Sequence, residues 1–175
     1  MKYKDIPQFT RDGNWASDMD PRYLMRWIES EQAEAGLQLE PDFQRGHVWT
    51  EAQQIAYLEY LLRGGKSGRD LYFNCSFGAN GLPKGKGYEE YVCVDGLQRI
   101  TAWKRYLNNE IPVFGHFCRE FTDRFPTRLS MRVHINDLKT RREVLQWYID
   151  MNVGGTPHSE AEISRVRALL EQEDA

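Results

Sequence analysis

The sequence predicts an α/β fold of the mixed, α+β kind, with short strands flanked by helices. Three observations lead there. Helical and strand-like periodicities alternate as helix, helix, strands, helix, strands, helix, helix. The chain has 175 residues, enough for one domain that buries its own core. Hydrophobic residues make up 41% and charged residues 28%, an ordinary globular balance that excludes a disordered chain or a coiled-coil rod.

Residues 1–18 have no clear period and read as an irregular arm, followed by a single domain over residues 19–175. Asp20 caps the first helix, with Pro21 in the first position, where a missing N–H costs nothing. Leu24, Trp27 and Ile28 give that helix its apolar face, and Gly36 stops it. Leu37–Arg45 reads as extended, punctuated by Pro41. Thr50 and Gln53 form a capping box for a second helix with a buried stripe of Ile55, Leu58, Leu61 and Leu62. Leu71–Phe77 and Tyr91–Val94 are strand-like, and the Gly/Lys-rich stretch Gly78–Gly87 between them has the length of a flap.

A third helix is expected from just after Asp95–Gly96 to about Leu107, buried along Ile100, Trp103 and Leu107. Ile111–Phe114 and Met131–Ile135 read as further short strands. Thr140 with Glu143 is another capping box, ahead of Val144, Leu145, Tyr148 and Met151. The run from Asn152 to Pro157 breaks that helix, and Ser159 with Glu162 opens the last, whose apolar side is Ile163, Val166 and Leu170.

The charge balance is 23 basic against 26 acidic residues, a net of −3, which excludes whole-surface attraction to nucleic acid or anionic lipid. A local basic stretch remains, from Arg119 to Arg142, and Arg128, Arg132, Arg141 and Arg142 within it are a candidate nucleic-acid patch. Its alternative is a solvated face. The three cysteines, Cys75, Cys93 and Cys118, are odd in number and widely spaced, which argues against a disulfide framework. No signal peptide or membrane-spanning run is visible, so no membrane partner and a cytoplasmic location are expected.

The chemistry concentrates between Val92 and Trp103. A β-branched strand ends in Asp95, turns at Gly96 and enters a helix carrying Gln98 and Arg99. Such a turn suits a phosphate, because the first helical N–H groups lack internal partners and the dipole favours an anion. Arg99 adds a bidentate grip, and Asp95 is a candidate for holding magnesium or orienting water. The alternative makes Asp95 a cap and Arg99 its ion-pair partner. A second cluster, Pro41-Asp-Phe-Gln-Arg-Gly-His-Val-Trp49, sets Gln44 and Arg45 between two core anchors, Phe43 and Trp49. Arg63-Gly-Gly-Lys-Ser67 is not a P-loop, since Tyr60 stands where the first glycine belongs and a helix precedes it. The four histidines show no metal spacing.

Three stretches in order, Pro41–Arg45 with Trp49, Val94-Asp-Gly-Leu-Gln-Arg-Ile-Thr-Ala102 and Asp150–Pro157 with Glu160–Glu162, resemble the GmrSD-type N-terminal domain family. The resemblance runs from about Met19 to Leu170. It implies a ParB/sulfiredoxin-like core, a bacterial or phage origin, and a role in restriction of foreign DNA. It further implies a nucleoside triphosphate with Mg2+ as cofactor. Asp95 and Gln98 would be catalytic, Asp95 the metal ligand, and Gln44, Arg45, Gly96, Arg99 and Thr101 the phosphate and nucleotide contacts. Asn152 matches the asparagine before the family's Gly-rich turn. Leu97 replaces a glutamine of the family pattern, which removes a polar contact and weakens the case for hydrolysis more than for binding. The family often carries a C-terminal nuclease domain, for which no room is seen before Ala175.

Two readings therefore stand side by side. One is a nucleotide-binding, NTP-hydrolysing domain of a GmrSD-type system. The other is a non-catalytic module that binds DNA or a restriction-system protein through Arg119–Arg142. Direct DNA cleavage ranks last, because no metal-binding carboxylate cluster is visible.

Overall fold

A computed structural model describes residues 2–6, 15–76, 88–126, 128–153 and 160–173. It contains four strands: β1 (Trp15–Met19), β2 (Asp70–Cys75), β3 (Tyr91–Asp95) and β4 (Met131–Asn136). Around them lie five α-helices: α1 (Pro21–Glu34), α2 (Glu51–Leu62), α3 (Leu97–Leu107), α4 (Arg141–Val153) and α5 (Glu160–Gln172). The α+β class expected from the sequence is the class observed.

The strands form one sheet in the order β1-β4-β2-β3. β1 runs antiparallel to β4, β4 parallel to β2, and β2 antiparallel to β3 with an irregularity between Tyr72 and Phe73. Gln38 lengthens the sheet beyond β3 by one bridge to Val92, closed by Gln38 N–H to Tyr91 C=O and Cys93 N–H to Gln38 C=O, both 2.8 Å.

Side-chain alternation splits the interior into two layers. Leu71, Phe73, Cys93, Met131 and Val133 pack with Leu24 and Ile28 of α1, Leu58 and Leu61 of α2, and Ile100 and Trp103 of α3. Val92 and Val94 pack with Val144, Leu145, Trp147 and Tyr148 of α4, Val166 of α5 and Phe43. β3 is apolar on both faces because both are covered, as Val92, Cys93 and Val94 show.

The expected caps are in place. The Asp20 carboxylate accepts from the Arg22 and Tyr23 N–H groups. The Thr50–Gln53 and Thr140–Glu143 boxes are reciprocal: Gln53 Oε1 accepts from Thr50 N–H, and Glu143 Oε2 from Thr140 N–H.

Three expectations need correction. Leu37–Arg45, read as extended, bridges the sheet only at Gln38 and then turns, with Gln44 N–H donating to the Pro41 carbonyl at 2.9 Å. The stretch read as an irregular arm ends in β1, an edge strand in which only Met19 is buried, so apolar alternation could not announce it. Ile111–Phe114 is not a strand. Val113 and His116 make a single bridge around a tight turn, with Phe114 at φ 52° and Gly115 at φ 78°. Ile111 and Val113 are buried, which accounts for their apolar character without a ladder. The Gly78–Gly87 loop, most of the Asn152–Pro157 turn and the Ser159 cap lie outside the described residues.

Gly96 shows why the β3–α3 turn takes this form. Its φ is +129°, and a Cβ built on it falls 2.5 Å from Leu71 Cδ2, which is fully buried. Backbone conformation and packing both demand glycine here. Gly96→Ala is expected to destabilise the fold by roughly 1–3 kcal/mol. Urea denaturation should show a lower midpoint with an unchanged slope; an unchanged midpoint would contradict the packing argument.

Candidate functional site

The strand–glycine–helix turn and the 41–49 segment come together as expected. Gln44 Nε2 donates to the Cys93 and Val94 carbonyls, 3.1 Å each, at the end of β3. Gln98, in the first turn of α3, answers in the other direction. Its Oε1 accepts from Val48 N–H at 2.9 Å and Trp49 N–H at 3.0 Å, and its Nε2 donates to the Gly46 carbonyl at 3.2 Å. Each glutamine binds the other segment's backbone, so the pair staples the strap to the turn. Gln98, read from sequence as a catalytic candidate, spends both ends of its amide on this staple. Gln44 Oε1 is left as a buried acceptor with no hydrogen-bond partner among the described residues.

Arg99 is held from two sides. Its Nη2 lies 3.0 Å from Asp95 Oδ2, and its Nη1 donates to the Asp70 backbone carbonyl. Burial acts to lower the guanidinium pKa, but Asp95, Tyr57 and Cys93 together more than offset it, so the net shift is upward and Arg99 is charged. Its side chain keeps 23% exposure, and its remaining N–H donors have no protein acceptor among the described residues. The N-terminus of α3 carries no side-chain cap, so the helix end beside Arg99 is electropositive.

The other expected site residues fall as follows. Arg45 is half-buried in the strap. Thr101 sits in the second turn of α3, past the orphan N–H groups of the helix end. Leu97, which stands where the family pattern has a glutamine, is buried at the start of α3, with 5% exposure. Asn152 Nδ2 donates to the Tyr148 carbonyl of its own helix at 2.6 Å. In the basic stretch, Arg132 lies 3.4 Å from Asp18, and Arg141 pairs with Asp42 at 2.8 Å and Glu173 at 3.4 Å. Arg128 and Arg142 are exposed. Carboxylates thus offset the charge of Arg132 and Arg141 in this stretch.

Asp95 was the expected magnesium ligand. One of its oxygens is bonded to Arg99, and no group of three His, Cys, Asp or Glu side chains converges among the described residues. Burial drives the Cys93 thiol pKa upward, which keeps it neutral and inert beside the turn. Sequence reasoning missed Asp70 and His134. His134 Nε2 is 2.8 Å from Asp70 Oδ1, and its ring stacks on Tyr72 at 4.6 Å. Asp70 therefore links Arg99, through its carbonyl, to His134, through its carboxylate.

The strand–glycine–helix turn thus presents an oriented arginine at the N-terminus of α3. The chain matches the family model described as the GmrSD restriction endonuclease, N-terminal domain, over residues 27–128, more than half of its length. It belongs to that family, and so is related to GmrSD restriction systems. The match includes the strap and the Asp95–Arg99 turn, while Asp150–Pro157 lies outside it. No curated protein and no solved structure matches the chain. Among the described residues, no helix is long and apolar enough to cross a membrane.

The staple has a measurable consequence. Gln98→Ala deprives the Val48 and Trp49 N–H groups of their acceptor and should destabilise the fold by about 1–3 kcal/mol. Hydrogen exchange at the Trp49 amide should accelerate more than at Ile100. Gln98→Glu keeps the acceptor and should restore much of that protection. Unchanged exchange at Trp49 in Gln98→Ala would show that the staple is incidental.

Proposed function

We propose that this chain is the nucleotide-binding domain of a GmrSD-type restriction system, taking a nucleoside triphosphate by its phosphates at the Asp95–Arg99 turn. The reading rests on one observation above all. The Arg99 guanidinium is fixed by Asp95 and the Asp70 carbonyl, yet keeps donors without a protein acceptor among the described residues, at an uncapped helix N-terminus. A guanidinium oriented in advance loses little entropy on binding phosphate, and the helix dipole acts in the same sense. The orphaned Gln44 Oε1 is consistent with a ligand donor arriving beside the turn. On this reading the core is of the ParB/sulfiredoxin kind.

The side chains favour binding over turnover. Asp95 gives one carboxylate oxygen to Arg99, and Gln98 gives both ends of its amide to the staple. Magnesium, where present, would be held chiefly by phosphate oxygens.

The experiment is a thermal-shift screen with ATP, GTP, CTP and UTP, each with and without magnesium, followed by calorimetric titration below the melting temperature. At least one nucleotide should raise the melting temperature. A charge-assisted phosphate contact contributes about 1.5–3 kcal/mol, so Arg99→Ala should weaken binding roughly ten- to a hundred-fold. Arg99→Lys should recover only part, because lysine lacks the planar fork. No shift with any nucleotide, or equal affinity in folded Arg99→Ala, would refute the reading.

A further inference from the structure

A concavity of about 230 Å3 shares no lining residue with the Asp95–Arg99 turn or the 41–49 strap. Arg22, Tyr106, Phe114, Phe121, Arg124 and Phe125 are among the residues that line it. The chain as a whole is acidic, yet four cation–π contacts gather at or beside this cavity. Arg22 lies 4.8 Å over the Phe125 ring and Arg63 5.0 Å over Phe114. Arg119 lies 5.8 Å over Phe117, next to the lining residue Cys118. Arg26 lies 5.9 Å over Tyr23, one helical turn along α1 from Arg22. Glu59, Glu120 and Asp123 supply the opposing charges; Glu59 accepts the Phe114 N–H and Glu120 the Phe117 N–H.

Phe114 is the telling residue. With Gly115 it forms the tip of a tight turn in which Val113 and His116 exchange both backbone hydrogen bonds, at 2.8 and 3.0 Å. Both tip residues have positive φ, 52° and 78°. Such a turn favours Asn-Gly, and a bulky side chain at its first tip position is strained. Burial does not compensate, since Phe114 is 39% exposed. Phe121, at 43%, is exposed to a similar degree. A strained aromatic side chain held half in water at the mouth of a cavity points to a ligand.

We propose that this cavity seats an unstacked base of single-stranded DNA, stacked against Phe114 and Phe121, while the surrounding arginines take the flanking phosphates. Half-exposed aromatic rings among arginines form the stacking platform that single strands require. The cavity has room for a single ring system, and a duplex keeps its bases stacked away from such a pocket. DNA, rather than an acidic peptide, follows from the restriction-system reading, on which this proposal rests. The test nonetheless stands apart from the Asp95–Arg99 reading, because no nucleoside triphosphate is present in it.

The full chain is titrated, by fluorescence anisotropy, into a fluorescein-labelled oligothymidylate and into a duplex of the same length, at several salt concentrations. The single strand should bind more tightly than the duplex and weaken with salt. Asparagine accepts positive φ, so Phe114→Asn should melt at or above the wild-type temperature while binding the single strand about ten-fold more weakly. Phe121→Ala should weaken binding by a similar factor, about ten-fold. No single-strand binding at low salt, a duplex bound equally well, or unchanged affinity in folded Phe114→Asn would overturn the proposal. Tighter binding of a glutamate- and tyrosine-rich peptide than of the oligonucleotide would also overturn it, in favour of a protein partner.

Discussion

Two glutamines, Gln44 and Gln98, each bonded to the backbone of the other's segment, fix the relation between the 41–49 strap and the β3–α3 turn. Much else depends on that contact. The strap delivers Phe43 to the layer beneath α4 and α5, and it leads directly into Thr50, which caps α2. α2 then meets α3 through Arg105, which reaches Gln54 and Glu51. A side-chain amide suits the task because it carries donor and acceptor together and bears no charge to desolvate. Loss of the staple would free a segment that enters one core layer and starts a helix of the other.

The same turn orients Arg99. Gly96 lets the chain reverse against Leu71, which sets the first turn of α3 close to the start of β2. The Asp70 carbonyl then comes within reach of the guanidinium, and Asp95 closes the other side. The motif thus divides its labour. Gly96, Gln44 and Gln98 build the turn, and Arg99 is the charged group left with capacity to meet a ligand. The Phe114 tip extends this logic to the opposite kind of chemistry, where the chain accepts local strain to hold an apolar ring half in water.

Much of the fold was legible because its signals are local. Asp20–Pro21, Thr50–Gln53 and Thr140–Glu143 mark helix starts through contacts spanning only a few residues. The strand ending at Asp95 and the helix from Leu97 followed from β-branched residues meeting a glycine. β1 was illegible because an edge strand with one buried residue has no apolar alternation to display. The convergence of Gln44 with the turn was legible, but its purpose was not: side-chain bonds to Cys93, Val94, Val48 and Trp49 go to backbone groups, which leave no trace in residue identity. The same holds for the Asp70 carbonyl on Arg99. Arg132 and Arg141 read as a free basic stretch because their partners, Asp18 and Asp42, lie about a hundred residues away.

The most direct test of this division of labour is side-chain NMR. The 15N–1H signals of the arginine Nε–H and glutamine amide groups are followed while a nucleoside triphosphate is titrated. The expected result is a progressive shift of the Arg99 signal, with the Gln98 amide signals holding their positions. A Gln98 amide that moves while Arg99 stays still would contradict the account, by making the staple the ligand contact and Arg99 the structural brace.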